Sequence, residues 1–224
     1  NPRKRRELNL CQMRCVVSFS DNAGHYRGKM QRLEQSLKGR FNGDFLGFTS
    51  YEEINCEHHK VIPYKFKAAS IMRAVQMGYD QILWCDSPIH ATQDLEPVFN
   101  HLDKFGYMFF DNIGHSLGKW TNQKALDYFK MTREEANQVK MIMACCMGFD
   151  VRLQFVKDLI FEYYGLANEL YPGSWGDHRH DQTVMSFLLH QYEYDILVGQ
   201  DTFFAYKNHH GVLPIASTVC LISE

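Results

Sequence analysis

Followed along the chain, apolar and polar positions alternate between short buried runs and longer amphipathic stretches. Met13 to Ser20 is apolar and β-branched and then breaks at Asp21-Asn22-Ala23-Gly24, the pattern of a buried strand running into a loop. Arg27 to Leu37 places Met30, Leu33 and Leu37 at helical spacing and closes at Gly39. The same reading predicts a strand over Asp44 to Thr49, a helix over Phe66 to Met77 ended by Gly78, and a strand over Gln81 to Cys85. A helix follows Asp94, then a strand over Tyr107 to Phe110. Thr121 to Val139 reads as helical, with Thr132 and Glu135 spaced for a capping box. Met141 to Phe149 reads as a buried strand, Val151 to Glu169 as a long amphipathic helix, and Asp181 to His190 as another. Strand-like pieces close the chain at Asp195 to Val198, Thr202 to Tyr206 and Val212 to Val219.

Strands alternating with helices predict an α/β domain with a mainly parallel central sheet covered by helices on both faces. Ligands of such sheets bind beyond the carboxyl ends of the strands. That directs attention to Ser18 to Tyr26, Thr49 to Tyr51, Asp86 to His90 and Asp111 to His115. The 224 residues suffice for one domain, which should bury roughly 70% of the surface of its unfolded chain. A net charge of −2, from 24 basic and 26 acidic side chains, argues against a dedicated nucleic-acid binder. No apolar stretch approaches the roughly 18 residues that span a bilayer, so no transmembrane segment is expected. Seven Cys without a CxxC pair indicate buried thiols in a reducing compartment, hence a cytoplasmic setting. The opening residues, with Arg3, Lys4, Arg5 and Arg6, are expected to form a flexible basic arm over 1–12, ahead of a single domain over 13–224.

The segment GYDQILWCDSPIHA, residues 78–91, carries the most chemistry. An apolar strand ends abruptly at Asp86 and Ser87, aiming a carboxylate at the ligand crevice, where it can bind a hard divalent cation. The competing reading makes Asp86 the cap of the next turn. Upstream, PYKFK puts Lys65 and Lys67 at the start of a helix, where lysines can reach phosphates. GDHRHDQ, residues 176–182, crowds Asp177, His178, Arg179, His180, Asp181 and Gln182 at the start of another, with an N-capping Asp181 as the alternative. His209 and His210 lie in a late loop, and one of them could ligate a metal. The absence of GxGxxG after the first strand, and of GxxxxGK[ST], GxSxG and HExxH, removes Rossmann dehydrogenases, P-loop enzymes, α/β-hydrolases and zincins as leading readings.

Taken in order, VVSFSDNAGHY, PYKFK, GYDQILWCDSPI and HRHDQ resemble GT-A-type glycosyltransferases, above all small sugar transferases of bacteria and large DNA viruses. The resemblance covers Met13 to His190. It implies a GT-A-like fold, with a nucleotide-sugar half over 13–112 and an acceptor half over 113–224 that includes a C-terminal metal and donor loop. It implies a UDP- or GDP-sugar donor, a glycan, glycoprotein or glycolipid acceptor, and Mn²⁺ or Mg²⁺. The activity implied is that of a hexosyl- or pentosyltransferase, as a domain of a longer bacterial or viral protein.

By the same resemblance, Ser18, Phe19, Ser20, Asp21, Tyr26, Lys67, Asp86 and Ser87 meet the donor nucleotide, with Lys67 on its phosphates. Asp86, with His209 or His210, holds the metal. Asp181 and Gln182 act at the sugar, and Trp120, Trp175 and His180 form the acceptor surface. The chain departs from the family's frequent Asp-x-Asp by carrying Pro88 at the third position, which leaves one carboxylate there. That departure motivates the alternative of a domain that binds nucleotide or sugar without catalysing. A nucleotidyltransferase is disfavoured because no Gly-rich phosphate loop follows the first strand.

Overall fold

The structure is a computed structural model that describes residues 12–21, 26–198, 203–206 and 220–223. Its central sheet runs, in spatial order, Asp44–Phe48, Arg14–Phe19, Gln81–Cys85, Cys146–Asp150 and Tyr107–Met108. The strands are β1 (Arg14–Phe19), β2 (Asp44–Phe48), β3 (Gln81–Cys85), β5 (Tyr107–Met108) and β8 (Cys146–Asp150). β1 pairs in parallel with both β2 and β3, whereas β8 runs antiparallel to β3 and to β5. Four of the five strands therefore point the same way, and the expected mainly parallel sheet is present.

Period-two alternation sorts the strand residues onto two apolar faces. Cys15, Val17, Phe19, Ile82, Trp84, Met147 and Phe149 belong to one core. It is completed by α2 (Lys65–Gln76), α6 (Gln154–Gly165), α7 (Ala167–Leu170) and α8 (His180–Gln191). Val16, Leu83, Cys85 and Cys146 belong to the other, beneath α1 (Tyr26–Leu37) and α3 (Glu96–Phe105). Burial on both faces explains why β3 and β8 are apolar almost throughout.

Two small sheets flank the central one. β4 (Ile89–Ala91) pairs with β11 (Leu221–Ser223), which pairs with β10 (Phe204–Tyr206). β6 (Phe110–Ser116) lies between β7 (Lys140–Ile142) and β9 (Leu197–Val198). No helix among the described residues is long and apolar enough to cross a membrane. The six described cysteines are free, and Cys15, Cys85, Cys146 and Cys220 are buried.

Several expected elements are divided. Thr121 to Val139 is two helices, α4 (Gln123–Phe129) and α5 (Arg133–Asn137), because Lys130 turns left-handed at φ 55° and ends the first. Each has its own cap: Asn122 accepts from the Ala125 N–H at 2.9 Å, and Thr132 with Glu135 forms the capping box read from the sequence. Thr132→Ala should cost about 1 kcal/mol, measurable as a lower urea midpoint. Met141 to Phe149 is not one strand either. It turns at Met143-Ala144-Cys145, placing β7 and β8 in different sheets. Val151 to Glu169 breaks at Leu166, and Tyr107 to Phe110 divides into β5 and the longer β6. The predicted strand Val212 to Val219 lies outside the described residues, as does most of the basic arm.

Candidate active site

The carboxyl ends of β1, β2 and β3 open on the same side, where two chambers meet. One, of about 430 Å³, is walled by Phe19, Ser20, Asp21, Tyr26, Tyr51, His58, His59 and Phe66 and reaches Ser87. The other, of about 560 Å³, is lined by Asp111, Asn112, His115, Trp175, Arg179, Asp181 and Gln182. Tyr64, Lys67, Asp86 and Pro88 line both.

Local structure accounts for each group at the junction. The extended chain of β3 ends at Asp86, whose backbone N–H donates to Cys145 O at 2.8 Å. Ile89 N–H then donates to Asp86 O at 2.9 Å, closing the turn that carries Ser87 and Pro88. The Asp86 side chain accepts from Trp84 Nε1 at 2.9 Å. Tyr64, left-handed at φ 61°, starts α2, so that Lys67 points inward one turn later.

The Lys67 side chain is buried, with 5% of the residue exposed. Its ammonium lies 3.1 Å from Asp86 Oδ1, 3.2 Å from Asp86 Oδ2, 3.3 Å from Asp181 Oδ2 and 3.0 Å from Ala144 O. Asp86 and the Ala144 carbonyl accept hydrogen bonds from it, while Asp181 faces it as an ion-pair partner whose buried Oδ2 accepts none. Lys67 holds these two carboxylates at the junction of the chambers, where the sequence leads one to expect a phosphate contact. The turn that splits the Met141 to Phe149 run supplies the carbonyl that completes its coordination.

One ammonium between two carboxylates leaves an excess of negative charge. Asp181 is 1% exposed, whereas the Asp86 side chain keeps 29% of its surface. The excess falls on the deeper group. Burial, opposed by Lys67 and reinforced by Asp86, raises the Asp181 carboxyl to about 6. Burial works against the Lys67 charge, but Asp181 and Asp86 outweigh it and keep the ammonium protonated. Asp181 is no N-cap: Arg179 holds that position, and His180 opens α8 left-handed at φ 46°.

Aromatic rings build the walls. Phe19 stacks on Phe66 at 4.8 Å and tilts against Tyr51 at 4.9 Å. The Tyr51 hydroxyl donates to Asp21 Oδ2 at 3.3 Å. In the larger chamber, Tyr64 stacks on His180 at 5.3 Å, and His180 stacks on Trp175 at 5.6 Å. His180 Nδ1 donates to Tyr171 O at 2.6 Å, and His178 Nε2 donates to Leu170 O at 2.6 Å. Both rings are buried, and burial lowers both imidazoles below their ordinary value. They act as neutral fasteners of the loop ahead of α8.

Of the predicted donor residues, Phe19, Ser20, Asp21, Tyr26, Asp86 and Ser87 line the smaller chamber. Ser18 does not; it is fully buried one position earlier in β1. Lys65 turns away to Glu57 Oε2 at 2.5 Å and Asn168 Oδ1 at 2.6 Å. Asp181 and Gln182 reach the larger chamber, and so does Trp175, while Trp120 and His180 stand one layer behind it. His209 and His210 lie outside the described residues. Sequence reasoning missed Tyr64, His58 and His59, the tie from Trp84, and the Ala144 carbonyl. The left-handed Tyr64 carries no sequence signal, and the adjacent His58-His59 was the one visible hint.

For a divalent cation, the Asp86 carboxylate at the junction is a suitable oxygen ligand. A single carboxylate combined with substrate phosphates is a common set for Mg²⁺. No group of three His, Cys, Asp or Glu side chains among the described residues gathers to hold an ion without substrate.

No protein-family model matches the chain, and neither does any curated protein sequence. Solved structures do. The bacterial bifunctional glycosyltransferase WbbM, in its apo structure, superposes with a TM-score of 0.58 at 13% identity, over 95% of this chain and 45% of its own. The chain thus spans less than half of WbbM. A glycosyltransferase involved in glycosylation of the major capsid of PBCV-1 superposes with a TM-score of 0.59 at 13% identity, over 94% of this chain and 93% of its own. The architecture, with its mostly parallel sheet and flanking helices, is the glycosyltransferase fold that the sequence motifs lead one to expect.

Proposed function

We propose that the chain is a glycosyltransferase moving a hexosyl or pentosyl unit from a UDP- or GDP-sugar to a hydroxyl of a glycan, glycoprotein or glycolipid. The observation that carries this reading is the meeting of two chambers at Asp86, Lys67 and Asp181. The smaller chamber offers Phe19, Tyr51 and Tyr26 to a flat base, and Asp21 and Ser20 to a ribose. The larger has room for the sugar and its acceptor.

Asp86 at the junction would hold Mn²⁺ or Mg²⁺ beside the donor diphosphate. Such an ion would supply positive charge to the leaving group. The chain's own contribution is to hold a base. In the inverting form of the reaction, Asp181 accepts the proton of the acceptor hydroxyl. The acceptor oxygen bonds to the anomeric carbon, and the bond from that carbon to the diphosphate breaks, with its electron pair leaving on phosphate. A carboxyl raised to about 6 suits this step, being ionised at neutral pH yet more basic than an ordinary Asp. Gln182, at the same chamber, is a hydrogen-bonding group for the sugar.

The test is turnover of radiolabelled UDP-glucose, UDP-galactose and GDP-mannose, with release of nucleoside diphosphate measured with and without EDTA. Release that EDTA stops and Mn²⁺ or Mg²⁺ restores supports the reading. Tight UDP binding with no turnover of any donor would select the binding domain that no longer catalyses, the reading motivated by Pro88.

A further inference from the structure

Arg179 lies in the larger chamber in an unusual setting. Its guanidinium sits 3.9 Å from the centroid of the Trp120 ring and 4.0 Å from that of Trp175, between two indoles. Both tryptophans also hold it through their backbones. Arg179 N–H donates to Trp120 O at 3.0 Å, and Arg179 Nη1 donates to Trp175 O at 2.6 Å. Among the described residues no carboxylate comes within ion-pair distance of this cation. Asp111, in the same chamber, is paired with Lys140 at 3.4 Å.

A second donor stands beside it. Trp120 Nε1 donates to His115 Nδ1 at 2.5 Å, which leaves the His115 ring proton on Nε2. Burial, with Lys119 and Arg179 nearby, lowers this imidazole and keeps it neutral. The wall thus presents a rigid guanidinium fork and an imidazole N–H with no anion among the described residues to satisfy them. Trp175, half-exposed, adds a ring face on which the apolar face of a sugar can stack.

We infer that the acceptor carries an anionic group, a carboxylate or a phosphate, which Arg179 binds between Trp120 and Trp175 close to the hydroxyl that receives the sugar. A planar guanidinium matches the paired oxygens of either group. A neutral glycan gives no reason to keep an arginine without a carboxylate partner flat against the chamber wall. Arg179 lines the chamber of Asp181 and Gln182 and takes no part in the aromatic base chamber, which favours the acceptor over the donor as its partner; the diphosphate at Asp86, which lines both chambers, is the competing one. The inference rests on the division into donor and acceptor chambers proposed for the transfer reaction.

Trp120 and Trp175 flank Arg179 and Trp84 bonds to Asp86, so tryptophan fluorescence reads binding at either place, and Arg179→Met tells the two apart. The chain is titrated with methyl β-D-glucopyranosiduronic acid, glucose 1-phosphate and methyl β-D-glucopyranoside, and separately with UDP and with GDP. One or both anionic probes should bind at least about tenfold more tightly than the neutral glycoside, and which of them does identifies carboxylate or phosphate. Arg179→Met should abolish that preference while leaving UDP or GDP affinity within about twofold, and Arg179→Lys should restore only part of it. Equal binding of charged and neutral glycosides, or no saturable response to either anion, overturns the inference while leaving the donor reading intact if UDP or GDP binds. A fall in UDP or GDP affinity on Arg179→Met by the same factor overturns it too, by returning Arg179 to the donor phosphates. Failure of UDP and GDP alike to bind at all removes both readings.

Discussion

Lys67→Met should destabilise the chain by about 3–5 kcal/mol and remove transfer activity. The ammonium is buried among Asp86, Asp181 and the Ala144 carbonyl. Methionine fills much of the same space and brings no charge. Two carboxylates are then left facing each other without a cation, one of them fully buried. Urea denaturation reads the loss of stability. The double variant Lys67→Met with Asp181→Asn removes one charge of each sign and should recover a substantial part of it, with a coupling energy above about 1 kcal/mol, as expected of contacting residues. Additive effects of the two changes would show that Lys67 and Asp181 do not act as a pair.

Asp181→Asn should lower transfer by about 10²- to 10⁴-fold, the usual range for loss of a positioned acid–base group, while the chain stays folded. The pH profile makes the test specific. With its carboxyl raised from an ordinary 3.8 to about 6, the wild-type rate should rise as pH increases through about 6 and then level off. The residual rate of the Asn variant should lack that rise. Stability should change with pH in the opposite sense. The folded state keeps a proton on Asp181 that the unfolded chain releases between those two values, so this contribution is fully present below about pH 4 and is lost as pH rises through 6. At about pH 8 the Asn variant should accordingly be no less stable than the wild type. A rate unchanged by the substitution, or a pH profile that keeps its rise without Asp181, would assign the base elsewhere.

The elements most legible in the sequence were those whose signal is local. The apolar runs of β1 and β3 and the helical spacing of Met30, Leu33 and Leu37 landed within a residue or two of the structure. So did the capping box at Thr132 and Glu135. Asp86 was legible for the same reason, as a carboxylate placed where an apolar strand stops. The turn at Met143-Ala144-Cys145 was not, because it contains no Gly, Pro or strongly polar residue. An apolar run shows that a segment is buried but not that it changes sheets partway. The fates of Lys65 and Lys67 could not be told apart either. They lie two residues apart at the start of one helix, where composition makes them equivalent. Only the packing of α2 against the sheet on one side and α7 on the other sends Lys67 to the carboxylates and Lys65 to Glu57 and Asn168.

By itself, then, the sequence determined an α/β layering and an acid at the end of the central strand. It also determined a polar cluster at the start of a late helix, because each of these follows from periodicity or punctuation within a few residues. The tertiary structure alone decided that Asp86 and Asp181, far apart in the chain, share one buried ammonium. It alone decided that Arg179 is held between Trp175, its near neighbour in sequence, and the distant Trp120. Such pairings depend on which helix crosses which strand end and on which side of it each side chain emerges. That outcome is set by packing the whole core at once, and no local pattern along the chain records it.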